Sequence, residues 1–193
     1  HHIVAYPQPG DPHAFRPYFT VNVSVLKSRL PQALALIEEI LNETLYEGAA
    51  SEALIEEILT QCHDGMRWDI LDNGHRFALQ RASSHVSGAS RFMEQAEGFA
   101  MYQWLDQLRT GGEAAQKAFV RQAQRAHREW LCSERMTLSV TADVLDPAFE
   151  TLFGALRKGV SFSGEEVSTL PMENTLEKEI IRVPSGVSYA ASA

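Results

Sequence analysis

The sequence predicts an α+β fold: two layers, with an antiparallel sheet whose one face is covered by several helices, one of them long. Three observations carry this. Apolar residues alternate with a period of two in RPYFTVNVSVL and RMTLSVTAD. They recur at three- and four-residue steps through a central stretch that no proline interrupts, residues 51–86. The elements run β-β-α-α-α-α-β-α, and half-apolar strands of this kind need helices on one face only.

Taken in order, Ile3, Val4 and Tyr6 make residues 2–8 strand-like, and PQPGDP at 7–12 is dense in turn formers. Phe19, Val21, Val23 and Val25 then face one way and Thr20, Asn22 and Ser24 the other, so residues 16–26 read as a strand hairpinned to the first across a long loop. Ser28 and Pro31 start a helix bearing Leu34, Ile37, Leu41 and Leu45, which Gly48 ends. Ser51 caps the next, with Leu54, Ile58, Cys62 and Met66 as its apolar stripe. It continues through Phe77 and Ala82, whole or kinked near Gly65 or Gly74. SHVSGAS breaks it. A third helix spans about 90–108, RTGG stops it, and a fourth spans about 113–131. Residues 135–143 alternate again as a strand. Asp146 and Pro147 are an N-cap and first-turn pair for a last helix carrying Phe149, Leu152, Phe153 and Leu156.

The domain reading is therefore 1–158 for the α+β domain, 159–178 for a polar linker and 179–193 for the first strands of a following domain. The chain opens HHIVAYP, with neither an initiator Met nor a signal peptide. His1 and His2 read as a tag remnant or as the native start of a strand. The whole is expected to be a piece of a longer protein.

Composition narrows the function. At 193 residues, 45% hydrophobic and 22% charged, the chain can build a real core. A net charge of −8 argues against nucleic acid as a partner, because phosphate binding needs clustered Lys and Arg. No apolar run approaches the roughly 20 residues that span a bilayer, so no membrane partner is expected. Cys62 and Cys132 read as buried thiols in a reducing compartment.

No active site emerges from spacing. A helical zinc pair needs histidines three or four apart, and His63, His75, His85 and His127 are all further apart than that. HxxEH, HExxH, CxxC and GxSxG are absent. Ser83, Ser84 and His85 are contiguous, a poor geometry for a nucleophile and its base. Arg81 lies where a long helix buries part of its circumference, which favours a bond to backbone carbonyls or to a Glu on a neighbouring helix.

Residues 74–105 read GHRFALQRASSHVSGASRFMEQAEGFAMYQWL. This resembles the presequence-protease branch of the insulinase/pitrilysin zinc metallopeptidases, which carry a segment of the form GHxxAxxRASSxxS. Gly74, His75, Ala78, Arg81, Ala82, Ser83, Ser84 and Ser87 match it, and Glu94, Gly98, Tyr102 and Leu105 follow in step. DPHAFRPYFTVNVSVL, RMTLSVTAD and IIRVPSGVSYAASA resemble flanking elements of the same proteins.

The resemblance implies four homologous α+β domains in two bowl-shaped halves around a closed chamber. Zinc binds in the first of them, at an inverted HxxEH motif. This chain resembles most of the third domain, its first strand missing, plus the start of the fourth. The implied function is a non-catalytic domain of a zinc metalloendopeptidase that degrades unstructured peptides, forming part of the chamber's C-terminal half. No catalytic, cofactor or metal residue carries over. Gly74, His75, Arg81, Ser83, Ser84, Glu94 and Gly98 carry over as a structural signature in the family's helices. The implied partners are the remaining domains and, indirectly, the peptide; exposed edges are expected to drive self-association. The implied compartment is a bacterial cytoplasm or an organelle matrix. A helical adaptor module without proteolytic context, and a small independent hydrolase with a scattered site, are the competing readings.

Overall fold

The computed structural model describes residues 2–130, 135–144, 146–160, 178–184 and 186–192. It is an α+β structure with a two-stranded antiparallel sheet and many helices. Two compact units divide the chain. One is His1–Asn22 with Ala53–Gln116 and Leu170–Ala193; the other is Val23–Glu52 with Lys117–Thr169.

In the first unit, β1 (His2–Gln8) pairs antiparallel with β2 (Asp11–Thr20), His2 opposite Thr20 and Pro7 opposite Phe15. The expected hairpin is present, but a tight turn joins it rather than a long loop, and β2 lies earlier than residues 16–26. Pro12 and Pro17 explain the misreading. Proline cannot donate to a ladder, so proline-rich stretches look like turns; it is tolerated in a strand with a free outer edge, as both strands of a two-stranded sheet have.

α2 (Ala49–Asp72) is the long helix, and α3 (Gly74–Ser83) follows it after a break at Asn73, beside the glycine that the sequence marks as a kink. Ser51 lies inside the first turn of α2 rather than at its cap. The buried face of α2 holds Leu59, His63 and Ile70; Leu54 and Ile58 are exposed, and so is Cys62. The expected stripe is thus rotated by about 100°, one residue's turn of a helix. The expectation of a buried Cys62 thiol falls with it. The reason is that α2 carries apolar residues on two faces, and the face that faces inward is interrupted by a polar residue, His63. Cys132 lies outside the described residues.

The single helix expected over 90–108 is two, α4 (Gly88–Glu97) and α5 (Phe99–Thr110), separated at Gly98. α4 packs on both strands, Phe15 meeting Phe92 at a ring distance of 5.4 Å, and also on α3 and α5. Leu105, 2% exposed, and Leu108 are the buried residues of α5. Residues 178–184 and 186–192 have no regular secondary structure. The strands expected at 179–193 do not form; the expected linker falls mostly in 161–177, outside the described residues.

In the second unit, a 3₁₀ turn at Lys27–Arg29 leads into α1 (Leu30–Glu43), which buries Leu34 and Leu41 and ends before Gly48. Leu45 lies past its end and is exposed. α1 packs on α7 (Ala148–Gly159), which buries Phe149 and Leu156. Asp146 Oδ1 accepts from the Ala148 N–H at 3.0 Å, capping α7 as its sequence suggests. α6 (Gly112–Trp130) half-buries Ala115, Phe119, Ala123 and Ala126 and buries Val120. Residues 21–26 and 136–142 are not strands. Both runs alternate, but alternation needs a hydrogen-bonded neighbour to become a sheet, and neither has one among the described residues.

Candidate functional site

The signature residues fall on α3, α4 and the junction between α4 and α5. α3 ends in RASS. Ser84 is 5% exposed, and its Oγ donates to the Arg81 carbonyl at 2.6 Å, satisfying one of the carbonyls a helix end leaves open. Ser83 is half-buried and contributes its carbonyl, which accepts from the Val86 N–H at 3.0 Å. Ser87 caps α4, its Oγ accepting from the Ser90 N–H at 3.1 Å. Two side chains tie α3 to α4: Gln80 Nε2 donates to the Met93 carbonyl at 3.0 Å, and Arg91 Nε to that of Ser84 at 3.3 Å.

Glu94 is the deepest polar residue, 1% exposed. It leaves α4 and turns onto the start of α5, where Oε1 accepts from the Ala100 N–H at 3.1 Å. The first N–H groups of a helix lack partners within it and carry its positive pole, so a carboxylate there is well placed. Arg81 Nη1 lies 3.4 Å from the same oxygen. Oε2 has no hydrogen-bond partner among the described residues. Burial therefore pushes the Glu94 carboxyl above its usual range, outweighing the Ala100 amide, Arg81 and the Phe99 amide, which pull it down. Gly98 completes the junction. A Cβ at this position would overlap Glu94 Oε2, so only glycine lets the carboxylate fold over the helix start.

Arg81 also reaches away from the helices. Nε donates to Glu179 Oε2 at 2.7 Å and Nη2 to Oε1 at 3.3 Å, the two-pronged pairing that suits a guanidinium. The Glu179 hydrogen bond is the largest cause of the raised Arg81 pKa, so the cation is permanent. Glu179 lies 98 residues further along the chain, and nothing in its local pattern signals it. At the other end of α3, His75 is exposed with Tyr189 at a ring distance of 5.7 Å, and Gly74 lies under the same tyrosine. The structure thus joins Arg81, Ser84, Glu94 and Gly98 in one cluster and places Gly74 and His75 in another.

Two histidines outside the signature are built into the units. In the first unit, His63 is 5% exposed, stacks on Tyr102 at 5.0 Å and has Nε2 3.4 Å from Asp106 Oδ1. Tyr102 and Asp106 are four apart on α5, a spacing that presents both to one neighbour. In the second unit, His127 Nε2 lies 2.6 Å from the Leu41 carbonyl, and Nδ1 lies 2.6 Å from Tyr46 Oη. A carbonyl only accepts, so Nε2 carries the proton and the tyrosine donates to Nδ1. Among the described residues no group of three or more His, Cys, Asp or Glu is placed to hold a metal. The carboxylate and guanidinium of the main cluster are engaged with each other and with helix ends. Their chemistry is positional.

The model of the peptidase M16 subfamily C associated family matches residues 1–108, more than half of the chain and all of the signature. This chain belongs to that family. It is similar to Protein HypA of Clostridium perfringens, 28% identical over 91 residues that make up 47% of this chain and 9% of that protein. It is also similar to the mitochondrial presequence protease of Aspergillus oryzae, 30% identical over 78 residues, 40% of this chain and 8% of that protein. The corresponding Aspergillus fumigatus protein is 27% identical over 90 residues, again 8% of its length. The matched part of this chain spans less than a tenth of each of these relatives. The chain is a non-catalytic region of an M16 peptidase, and other domains of such a peptidase are its partners. No described helix is long and apolar enough to cross a membrane.

Proposed function

We propose that this peptidase-associated chain helps to enclose substrate in a zinc metalloendopeptidase that degrades unstructured peptides, as part of the C-terminal half of its chamber. The observation that carries the reading is the family match over residues 1–108, together with two relatives whose names are presequence protease. In this reading the zinc and the bond-breaking residues belong to another domain. Gly74, His75, Arg81, Ser83, Ser84, Glu94 and Gly98 shape the wall rather than touch the scissile bond. The working compartment is an organelle matrix, as for the mitochondrial relatives, or a bacterial cytoplasm. Free sheet edges let isolated chains associate with one another.

Two assays test this. The isolated chain is expected to leave a long unstructured peptide intact with or without zinc; chelator-sensitive cleavage would overturn the non-catalytic role. In the full-length peptidase, deleting the segment equivalent to residues 1–108 is expected to abolish peptide hydrolysis while the zinc stays bound. Retained hydrolysis would remove this region from the chamber.

A further inference from the structure

Residues 178–184 and 186–192 carry no helix or strand, yet they meet α3 at two separate points. Near the end of α3, Glu179 takes the fork of Arg81 at 2.7 and 3.3 Å. At its start, the Tyr189 ring lies over Gly74 so closely that a Cβ there would meet two ring carbons at 2.7 Å. The segment therefore runs antiparallel to the helix, with Glu179 at Arg81 and Tyr189 at Gly74.

We propose that this segment is a two-point clasp over α3, in which each anchor holds the other in place. Gly74 is the seat of the clasp: an ordinary residue would serve the helix as well or better, but its side chain would lift the tyrosine. Arg81 is the pin, shared between Glu179 and the buried Glu94.

The lengths fit. The two helix positions are about 10 Å apart at 1.5 Å per residue, whereas the ten residues from Glu179 to Tyr189 can reach about 33 Å. The segment spans its anchors without strain. Neither contact is strong by itself: an ion pair of two half-exposed groups contributes little, and a single ring contact is similar. Once one anchor is made, the other closes within the same chain at high effective concentration, so the pair outlasts either contact alone. Loss of one anchor is then felt at the other.

Arg182, exposed between the anchors, provides the readout. A protease must draw several residues of extended chain into its cleft, and a clasped segment resists that. Trypsin cleavage after Arg182 is followed by mass spectrometry in the full chain, in E179Q, Y189A and G74A, and in a free peptide of residues 178–192. The wild-type chain is expected to be cut more slowly than the peptide. All three variants are expected to be cut faster, by about three- to tenfold, as fits the loss of one weak surface contact. G74A carries the sharpest expectation, since alanine favours the helix and thermal unfolding should be unchanged or later while cleavage accelerates. The clasp is overturned if the wild-type chain is cut as fast as the peptide. It is also overturned if Y189A and G74A leave cleavage at Arg182 unchanged while E179Q alone raises it, because the anchors would then be independent.

Discussion

At the scale of single residues, the junction between α4 and α5 is held by the fit of Glu94 over Gly98. Gly98→Ala places a methyl group on Glu94 Oε2 and should cost about 1–3 kcal/mol of stability, the usual range for overpacking. A urea unfolding series that shows no shift in midpoint would remove Gly98 from the account. Glu94 also sets a pH dependence whose sign is fixed by burial. Its carboxyl is raised in the folded chain, so the folded state binds the proton more tightly than the unfolded one. Its contribution to stability is complete below the ordinary carboxyl value and is lost as pH rises through the raised value. Asp146 behaves in the opposite sense. Its hydrogen bond from Lys27 is the largest of the causes that lower its carboxyl, so its contribution is lost as pH falls through that lowered value. The two windows lie on opposite sides of the ordinary carboxyl range. Glu94→Gln should flatten the stability profile above that range and leave the acid limb in place. A wild-type and variant profile that run parallel from pH 5 to 7 would show that Glu94 is not the group titrating. The sequence places Arg81, Glu94 and Gly98 in step, and Arg81 does meet a Glu on a neighbouring helix. It does not show Glu179, because a partner 98 residues away leaves no periodic trace.

Among elements, the helices were legible and their faces less so. α2 is recognisable from its apolar steps, but its two apolar lines differ in fate: Leu59 and Ile70 are buried, while Leu54, Ile58 and Trp68 are exposed. His63 disguises the inner line, because a histidine reads as polar until Tyr102 and Asp106 are seen beside it. Leu59→Ala should cost about 2–4 kcal/mol, as large-to-small changes in a core do. Ile58→Gln, one residue earlier, should stay within about 0.5 kcal/mol, as surface changes do. Chemical unfolding of the two variants decides between the faces, and a larger loss for Ile58→Gln would restore the stripe read from sequence. Strands were the weaker reading. Residues 21–26 and 136–142 alternate cleanly and stay irregular, whereas β2 is broken by Pro12 and Pro17 and forms. Alternation reports which side of a chain is apolar; a strand also requires a neighbour with which to exchange hydrogen bonds, and that information is not local.

For the whole molecule, the question is what this chain does with surface that a longer M16 peptidase would use. Both strands of the β1–β2 sheet have an outer edge without a ladder partner among the described residues, and Tyr6 is 60% exposed on β1. A free edge is a template for another strand, and natural sheets blunt such edges with lysine. On the opposite side of α2 from its buried face, Leu54, Ile58 and Trp68 form a second apolar surface, Trp68 being 67% exposed. Self-association of the isolated chain follows from either, but the two routes differ in their remedy. Light scattering over a dilution series should show an average mass that rises with concentration. Tyr6→Lys should return it to that of a 21.5 kDa monomer if strands pair edge to edge. Trp68→Lys should leave the rise intact on the same reading. The reverse result would assign the contact to α2 and take the sheet edge out of the account. A wild-type chain that remains a monomer at the highest concentration would mean that neither surface is sticky enough to act outside its parent enzyme.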